Sequence, residues 1–418
     1  MTRTSAVNRR LLRALFRAQR SGFILLSLAA VSTSGCKMFS ADAGSLADEA
    51  AARRIIDGEE RDYRPEGRSA DRRSRPQAVW DKWTGRNKRD IAKARAEYQL
   101  GDEYFNKAKD LEGDARLDGF RAAAAKYKSS GNNWRSSALE QDALLMMGES
   151  YFFAEDYYKS EQAYAKLVKE YPRNRYLDHV GSRRFEIADF WLKEDGVIHK
   201  PFYMVNFSNN RLPLNDTGGH GRRVLEKMRL DDPTGKNTDD ATMRLAVASF
   251  HKGEFEAAAD TFSDLRVTYP DSEHQFQAQF LELQSLLASY QGPRYSSVPL
   301  TDAETRAKQI IRQFPKDSKD NEQDLNLALA KIHYLKAERY WEQAEFRRKR
   351  QENEASRYYL RRITEEYTDT PFNDLAKTNL ENLAEKADDP PQYFKPLVML
   401  FPDRGAARPW LQNTGSAN

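Results

Sequence analysis

The 418-residue sequence holds a single cysteine, Cys36, so no disulfide can form within the chain and stability must come from packing. Histidine is nearly as scarce: the six residues, at 179, 199, 220, 251, 274 and 333, are scattered without the close spacing of a metal motif. There is no HExxH and no GxSxG, and with Cys36 set apart there is no nucleophilic thiol. PTGKNTDD (233–240) fails as a phosphate loop because Asn237 stands where Ser or Thr is needed and the upstream glycine is missing. Carboxylates are abundant, but they alternate with Lys and Arg at helical spacing, as solvated helix faces do. These gaps lead to the expectation of a protein that is not an enzyme, with no catalytic, metal or cofactor-binding residue to name and no cofactor.

A broad positive field is also missing. The formal charge is +4, but residues 1–35 carry six arginines and no acid; without them 61 basic residues face 63 acidic ones, a net of −2. Such a balance offers no general grip on phosphates, and no nucleic-acid partner is expected. The one sustained apolar run, Phe23 to Val31, is too short for a stable span and follows an arginine-rich start, which is the pattern of a signal peptide over 1–35. Cys36 comes immediately after STSG and resembles a bacterial lipobox cysteine, although Thr33 stands where leucine is usual. Lipid attachment at Cys36 is the expectation. An incidental cysteine, or cleavage near ADA (41–43), is the alternative.

Residues 36–87 are dense in Arg, Asp and Glu with little apolar periodicity and are expected to form a disordered charged tether. Within it, Trp80 and Trp83 are either the first docking point on the folded body or a partner contact. From 88 to 387 the pattern is helical throughout and no alternation of β-branched residues occurs. A phrase recurs: YAKLVKEYPRN (164–174), FSDLRVTYPDS (262–272) and AKQIIRQFPKDS (307–318). Tyr164, Leu167 and Tyr171 share one helix face, Pro172 disfavours helical geometry at Tyr171, and Asn174 is suited to cap the next helix.

The unit of helix, stop and helix fits the tetratricopeptide repeat. In 143–172, Gly148 and Tyr151 take the small and aromatic positions of the first helix, and Tyr164 and Pro172 those of the second. In 243–270, Ala246, Ala258, Phe262 and Pro270 do the same. Looser pairs fit at 96–127, 178–233, 273–315 and 327–371, with a closing helix at 372–386. The fold class expected is all-α, an α-solenoid of divergent tetratricopeptide-like helix-turn-helix repeats, five to six pairs over 88–387 interrupted by an insert at 194–221. TGGHG (217–221) reads as a surface loop of that insert. Tyr151, Phe152, Phe153, Tyr157 and Tyr158 crowd one hairpin; each is either interhelix core or an excess aromatic lining a groove. The proline-rich tail 388–418, with apolar anchors from Leu397 to Phe401, either packs back on the body or binds elsewhere.

A lipobox-like cysteine, a tether and repeats ending in YP or FP together resemble the BamD family of outer-membrane assembly lipoproteins in Gram-negative bacteria. The likeness is clearest at 142–174, 306–318 and 337–376. It implies a non-enzymatic scaffold, lipid-anchored on the periplasmic face of the outer membrane, whose partners are outer-membrane assembly proteins and unfolded barrel substrates. The long tether, the insert, the sixth pair and the tail depart from the family, so only Cys36 is carried over, and the peptide-binding residues are unknown. Two other readings remain open: an adaptor of another envelope complex, serving cell-wall coordination, secretion or pilus assembly, and an enzyme acting on cell-wall material through the insert.

Overall fold

The computed structural model describes residues 89–197, 205–206 and 209–388; the expected signal peptide, Cys36, the expected tether with Trp80 and Trp83, and the residues beyond Asp388 lie outside them. Among the described residues there are fourteen helices and no strand. They form two compact units dividing between Asn174 and Arg175. The first holds α1 (Ile91–Lys109) with α2 (Gly113–Asn133) and α3 (Ala138–Phe153) with α4 (Tyr157–Glu170). The second holds α5 (Leu177–Val197) with α6 (Thr217–Asp231), α7 (Thr238–His251) with α8 (Phe255–Thr268), and α9 (Gln275–Ser289) with α10 (Val298–Gln313). These are followed by the short α11 (Pro315–Asp320), then α12 (Glu322–Lys349) with α13 (Asn353–Glu366), and α14 (Phe372–Leu383). Within each unit every long helix packs on its neighbours in sequence, so each pair buries its apolar face against the next.

Two kinds of turn build this arrangement. Inside a pair, the first helix ends in a left-handed residue: Glu155 (φ 57°), Gly253 (φ 80°) and Gln351 (φ 61°). In each case the next amide bonds back across the last turn, Asp156 to the Tyr151 carbonyl, Glu254 to Ser249 and Glu352 to Arg347, which is the Schellman closure.

Between pairs, the recurring aromatic is the C-cap. Tyr171, Tyr269 and Phe314 leave the helix at ψ 73°, 67° and 66°, as the following proline requires, while their N–H groups still reach the Leu167, Leu265 and Ile310 carbonyls. The amides of Asn174 and Ser272 then bond back to the Tyr171 and Tyr269 carbonyls, both at 3.1 Å. The Asn174 side chain also turns backward, Nδ2 donating to the Tyr171 carbonyl at 2.8 Å. Tyr367 makes the same turn without a following proline, helped by the Thr370 hydroxyl, which donates to its carbonyl at 2.8 Å.

The α5–α6 connection differs from expectation. α5 continues to Val197 and α6 begins at Thr217, so the interruption between helices is 198–216 and TGGHG is helical. The reason is packing: a Cβ on Gly221 would lie 3.0 Å from the Ala188 carbonyl oxygen and from Leu192, so glycine lets α6 lie close on α5. Asp216 caps the helix, its carboxylate accepting from the Gly219 amide at 3.1 Å.

Among the described residues the last helix of the second unit is α14, whose outer face exposes Asp374, Lys377, Thr378, Glu381 and Asn382 beside a single large apolar residue, Leu375. Its inner face, Ala376 and Leu383, packs with Leu360 and Ile363.

Candidate protein-binding surface

The repeat junctions fix which aromatic residues are core. The small and aromatic positions meet directly: a Cβ on Gly148 would lie 2.4 Å from the Tyr164 ring, and one on Gly101 would lie 2.7 Å from the Tyr127 ring. In the second unit Ala246 and Phe262 share one core. Buried hydroxyls need partners, and they find acids: Tyr127 Oη donates to Asp102 at 2.8 Å, Tyr164 Oη to Glu149, and Tyr171 Oη to Glu140 at 2.6 Å. Glu140 is a hub, since it also accepts from the Ser136 amide at 2.7 Å and lies 3.6 Å from Lys166. Burial, with this carboxylate beside it, pushes the Tyr171 hydroxyl pKa up.

The closing aromatics therefore do more than stop helices, because each reaches back to the first helix of its own pair or to the turn before it. Tyr171 reaches Glu140 in the first turn of α3, Tyr269 donates to the Pro233 carbonyl just before α7 at 3.0 Å, and Phe314 packs on Phe276 of α9 at 5.6 Å. Tyr367 packs on His333 at 4.8 Å and Tyr340 at 5.6 Å, both of α12, and burial pushes its pKa up to about 12.

In the aromatic hairpin of the first unit, Phe152 and Tyr157 are buried against each other, ring centroids 5.4 Å apart. Phe153 reaches Phe120 at 5.5 Å and Phe105 at 6.0 Å. Phe152 and Tyr157 are core, and Phe153 is half-buried against those rings. Tyr151 and Tyr158 are half-buried, Tyr151 beneath the Lys159 ammonium at 5.5 Å.

The described part of the insert is closed by its own turns: Asn206 N donates to the Leu214 carbonyl at 2.6 Å, and fully buried Trp191 donates Nε1 to the Arg211 carbonyl at 2.8 Å. Its two flanking acids sit at the start of α6, Asp195 against Gly218 and Asp216 on the Gly219 amide and Arg223. PTGKN is a turn closed on Asp232, whose carbonyl accepts from the Thr238 hydroxyl at 2.8 Å, and TDD opens α7; Asp239 and Asp240 make the place unfavourable for phosphate.

Sequence spacing missed one convergence: one ligand atom each of Asp240, Glu273 and His274 lie within 4.8 Å of one another, brought together by the α7 start and the α8–α9 turn. Asp240 and His274 are 34 positions apart, beyond any local motif, and they already satisfy each other through Nε2 and Oδ1 at 2.7 Å. That bond, made to the charged imidazole, raises the His274 pKa.

The second unit also carries a buried charge cluster. Glu282 Oε2 lies 2.9 Å from Arg306 Nε and 3.5 Å from Arg266 Nε, so the carboxylate pairs with both guanidinium groups. Burial pushes the Glu282 carboxyl up and the Arg306 guanidinium down. The cluster joins α8, α9 and α10 and is structural in kind.

Half-buried and exposed aromatic rings gather at α12–α14. Tyr334, Tyr340, Trp341, Tyr359 and Phe372 are only half-buried, and Phe346 and Tyr358 are each 54% exposed. Neighbouring rings are 5.3 Å apart for Tyr334–Phe372 and for Tyr358–Tyr359, and 6.1 Å for Trp341–Phe372. Aromatic residues of this exposure, rimmed by Arg347 and Arg350 over the Phe346 ring at 5.9 and 5.6 Å, have the composition of a protein-contact surface. The backbone beneath is held firmly. Arg339 donates to the Pro293 carbonyl at 2.9 Å and to that of Tyr295, fastening the α9–α10 connection to α12, and Lys336 pairs with Glu304 of α10.

Residues 216–387 match the model of the YfiO family, described as outer membrane lipoprotein, and residues 142–174 match the tetratricopeptide repeat. No curated protein matches the chain. Among solved structures the chain is similar to the crystal structure of PilW, a widely conserved type IV pilus biogenesis factor, at 13% identity over 68% of this chain and 98% of that one, with a TM-score of 0.21. The matched families are non-catalytic scaffolds that bind other proteins. Among the described residues each unit is all-α and built of tetratricopeptide-like helix pairs, and over 216–387 the chain is BamD-like.

Proposed function

We propose that this protein is a lipid-anchored scaffold of the β-barrel assembly machinery, held by Cys36 on the periplasmic face of the outer membrane and binding assembly proteins and unfolded barrel substrates. The observation that carries this reading is the match of 216–387 to the outer membrane lipoprotein family, which spans α6 to α14 and includes the half-exposed aromatic surface. The arrangement supports binding and not turnover: Glu140, Glu149 and Asp102 are each engaged by a tyrosine hydroxyl, and Glu282 lies between two arginines.

Depletion of the protein should lower the level of outer-membrane barrels, and crosslinking from α12–α13 should capture barrel-assembly components. Unchanged barrel levels, together with crosslinks only to cell-wall, secretion or pilus proteins, would transfer the scaffold to another envelope complex. For the anchor, metabolic labelling with a fatty acid should mark the wild-type chain and be lost in Cys36→Ser; labelling that persists in the variant removes Cys36 as the attachment site.

A further inference from the structure

Two segments of the second unit meet where α7 begins and α8 turns into α9. Residues 237–241 and 270–275 hold four acids, Asp239, Asp240, Asp271 and Glu273, together with His274 and no lysine or arginine. Asp240 and His274 are half-buried and Glu273 is exposed, and one ligand atom of each lies within 4.8 Å of the other two.

The scaffold beneath these three is held from both sides. The Ser272 hydroxyl donates to Asp239 Oδ2 at 2.7 Å, while Asp239 Oδ1 accepts from the Asp240 amide at 2.9 Å. The His274 amide donates to Ser272 Oγ at 3.3 Å, and the Gln275 side chain donates to the Tyr269 carbonyl at 2.6 Å, which fixes the turn that presents Glu273 and His274. The ligands of a metal ion need outer support of this kind to keep their orientation.

A histidine bonded to one carboxylate is an ordinary ion pair, and the second unit contains such a pair for comparison. His333 Nδ1 meets Asp369 Oδ1 at 3.0 Å, and among the described residues no third acid or histidine converges on them. At His274 a third ligand is present, and the four acids leave the place negative even when the imidazole is protonated.

The distances suit an ion. Donors about 2.1 Å from a divalent cation stand about 3.0 Å apart along an octahedral edge and about 3.4 Å apart along a tetrahedral one. His274 Nε2 and Asp240 Oδ1 are 2.7 Å apart, so they need to part by less than about 1 Å, and the exposed Glu273 carboxylate closes in by at most about 2 Å. One imidazole with two carboxylates is a set for a first-row transition ion, whereas calcium and magnesium take oxygen ligands.

We propose that Asp240, Glu273 and His274 bind one zinc ion through Nε2 and two carboxylate oxygens, with water completing the shell. The proton that joins Nε2 to Oδ1 leaves to solvent as the ion takes its place. The ion ties the start of α7 to the start of α9 and so fastens one helix pair to the next. This rests on the geometry of the second unit alone and does not need the envelope role.

Zinc added to the full chain, in competition with a chromophoric chelator, tests it. Wild type should bind one equivalent with micromolar affinity or tighter, and His274→Gln and Glu273→Gln should each weaken binding by about tenfold or more. His333→Gln and Cys36→Ser should bind as wild type does, and calcium in large excess should not compete. X-ray absorption at the zinc edge should show nitrogen and oxygen neighbours with a single imidazole. Unchanged affinity in Glu273→Gln overturns the proposal, and because this residue is exposed the result decides the matter even if His274→Gln disturbs the fold. A shell that contains sulfur or several imidazoles, or binding no tighter than millimolar, overturns it too.

Discussion

Gly148 and Gly181 are both helical glycines, yet they answer to different physics. A Cβ on Gly148 would enter the Tyr164 ring, whereas one on Gly181 in α5 meets nothing within 4 Å. Gly148→Ala should therefore lower stability by about 1–3 kcal/mol through overpacking, and Gly181→Ala should raise it by about 0.5–1 kcal/mol through helix propensity; thermal or urea melts separate the two signs. The first was legible in sequence, since Gly148 and Tyr164 occupy the small and aromatic positions of the repeat. The Glu140 hub was not, because Tyr171 meets it across 31 positions.

Long-range charge is equally hidden. Glu304 is held down to about 2 by the Lys308 and Lys336 ammonium groups. Its folded pKa lies below the unfolded value, so its contribution is full above about pH 4.5 and is lost as pH falls toward 2. Glu304→Gln should lower stability by about 1 kcal/mol at pH 7, discounted for solvent screening, with wild type and variant converging by about pH 2 in melts across that window. His274 carries the opposite sign. Its pKa is raised by Asp240, so Asp240→Asn should destabilise most in acid and progressively less as pH climbs through the folded His274 pKa.

At the level of elements, the turns inside the pairs form a comparison already made within one molecule. Gly253 holds the left-handed position that Glu155 and Gln351 hold with a side chain. Glu155→Gly and Gln351→Gly should each stabilise by about 0.5–1 kcal/mol, and Gly253→Ala should cost about 1 kcal/mol, all measured as shifts in denaturation midpoint. The turns between pairs were readable because proline announces them. Tyr367 is the exception: no proline follows it to announce the turn, which is held by Thr370 instead. Pro315 ends α10 and at once opens α11, since a first helical position tolerates the missing N–H. The α6 start was misread because glycines are loop formers by local rule, and only the approach to Ala188 and Leu192 reverses that preference. Such an approach depends on residues about thirty positions away, where no local pattern records it.

At the scale of the whole molecule, the core of each unit is assembled from neighbours in sequence, without a covalent crosslink, Cys36 being the only thiol. Reductant should leave the thermal midpoint unchanged, and Cys36→Ser should melt as wild type does; a drop in either would reveal a crosslink between chains. The helical class and pair order were open to reading because a repeat states its own grammar several times. The half-exposed aromatic surface was not, since a tyrosine buried by one neighbour and a tyrosine bared to solvent occupy the same positions of a helical pattern. A last consequence comes from α14. Stacked pairs propagate as long as each presents a greasy flank to its successor, and the charged and amide side chains on the far side of this helix deny the next molecule that flank. The double variant Asp374→Leu/Lys377→Leu should therefore join end to end, read as a rise in sedimenting mass over wild type.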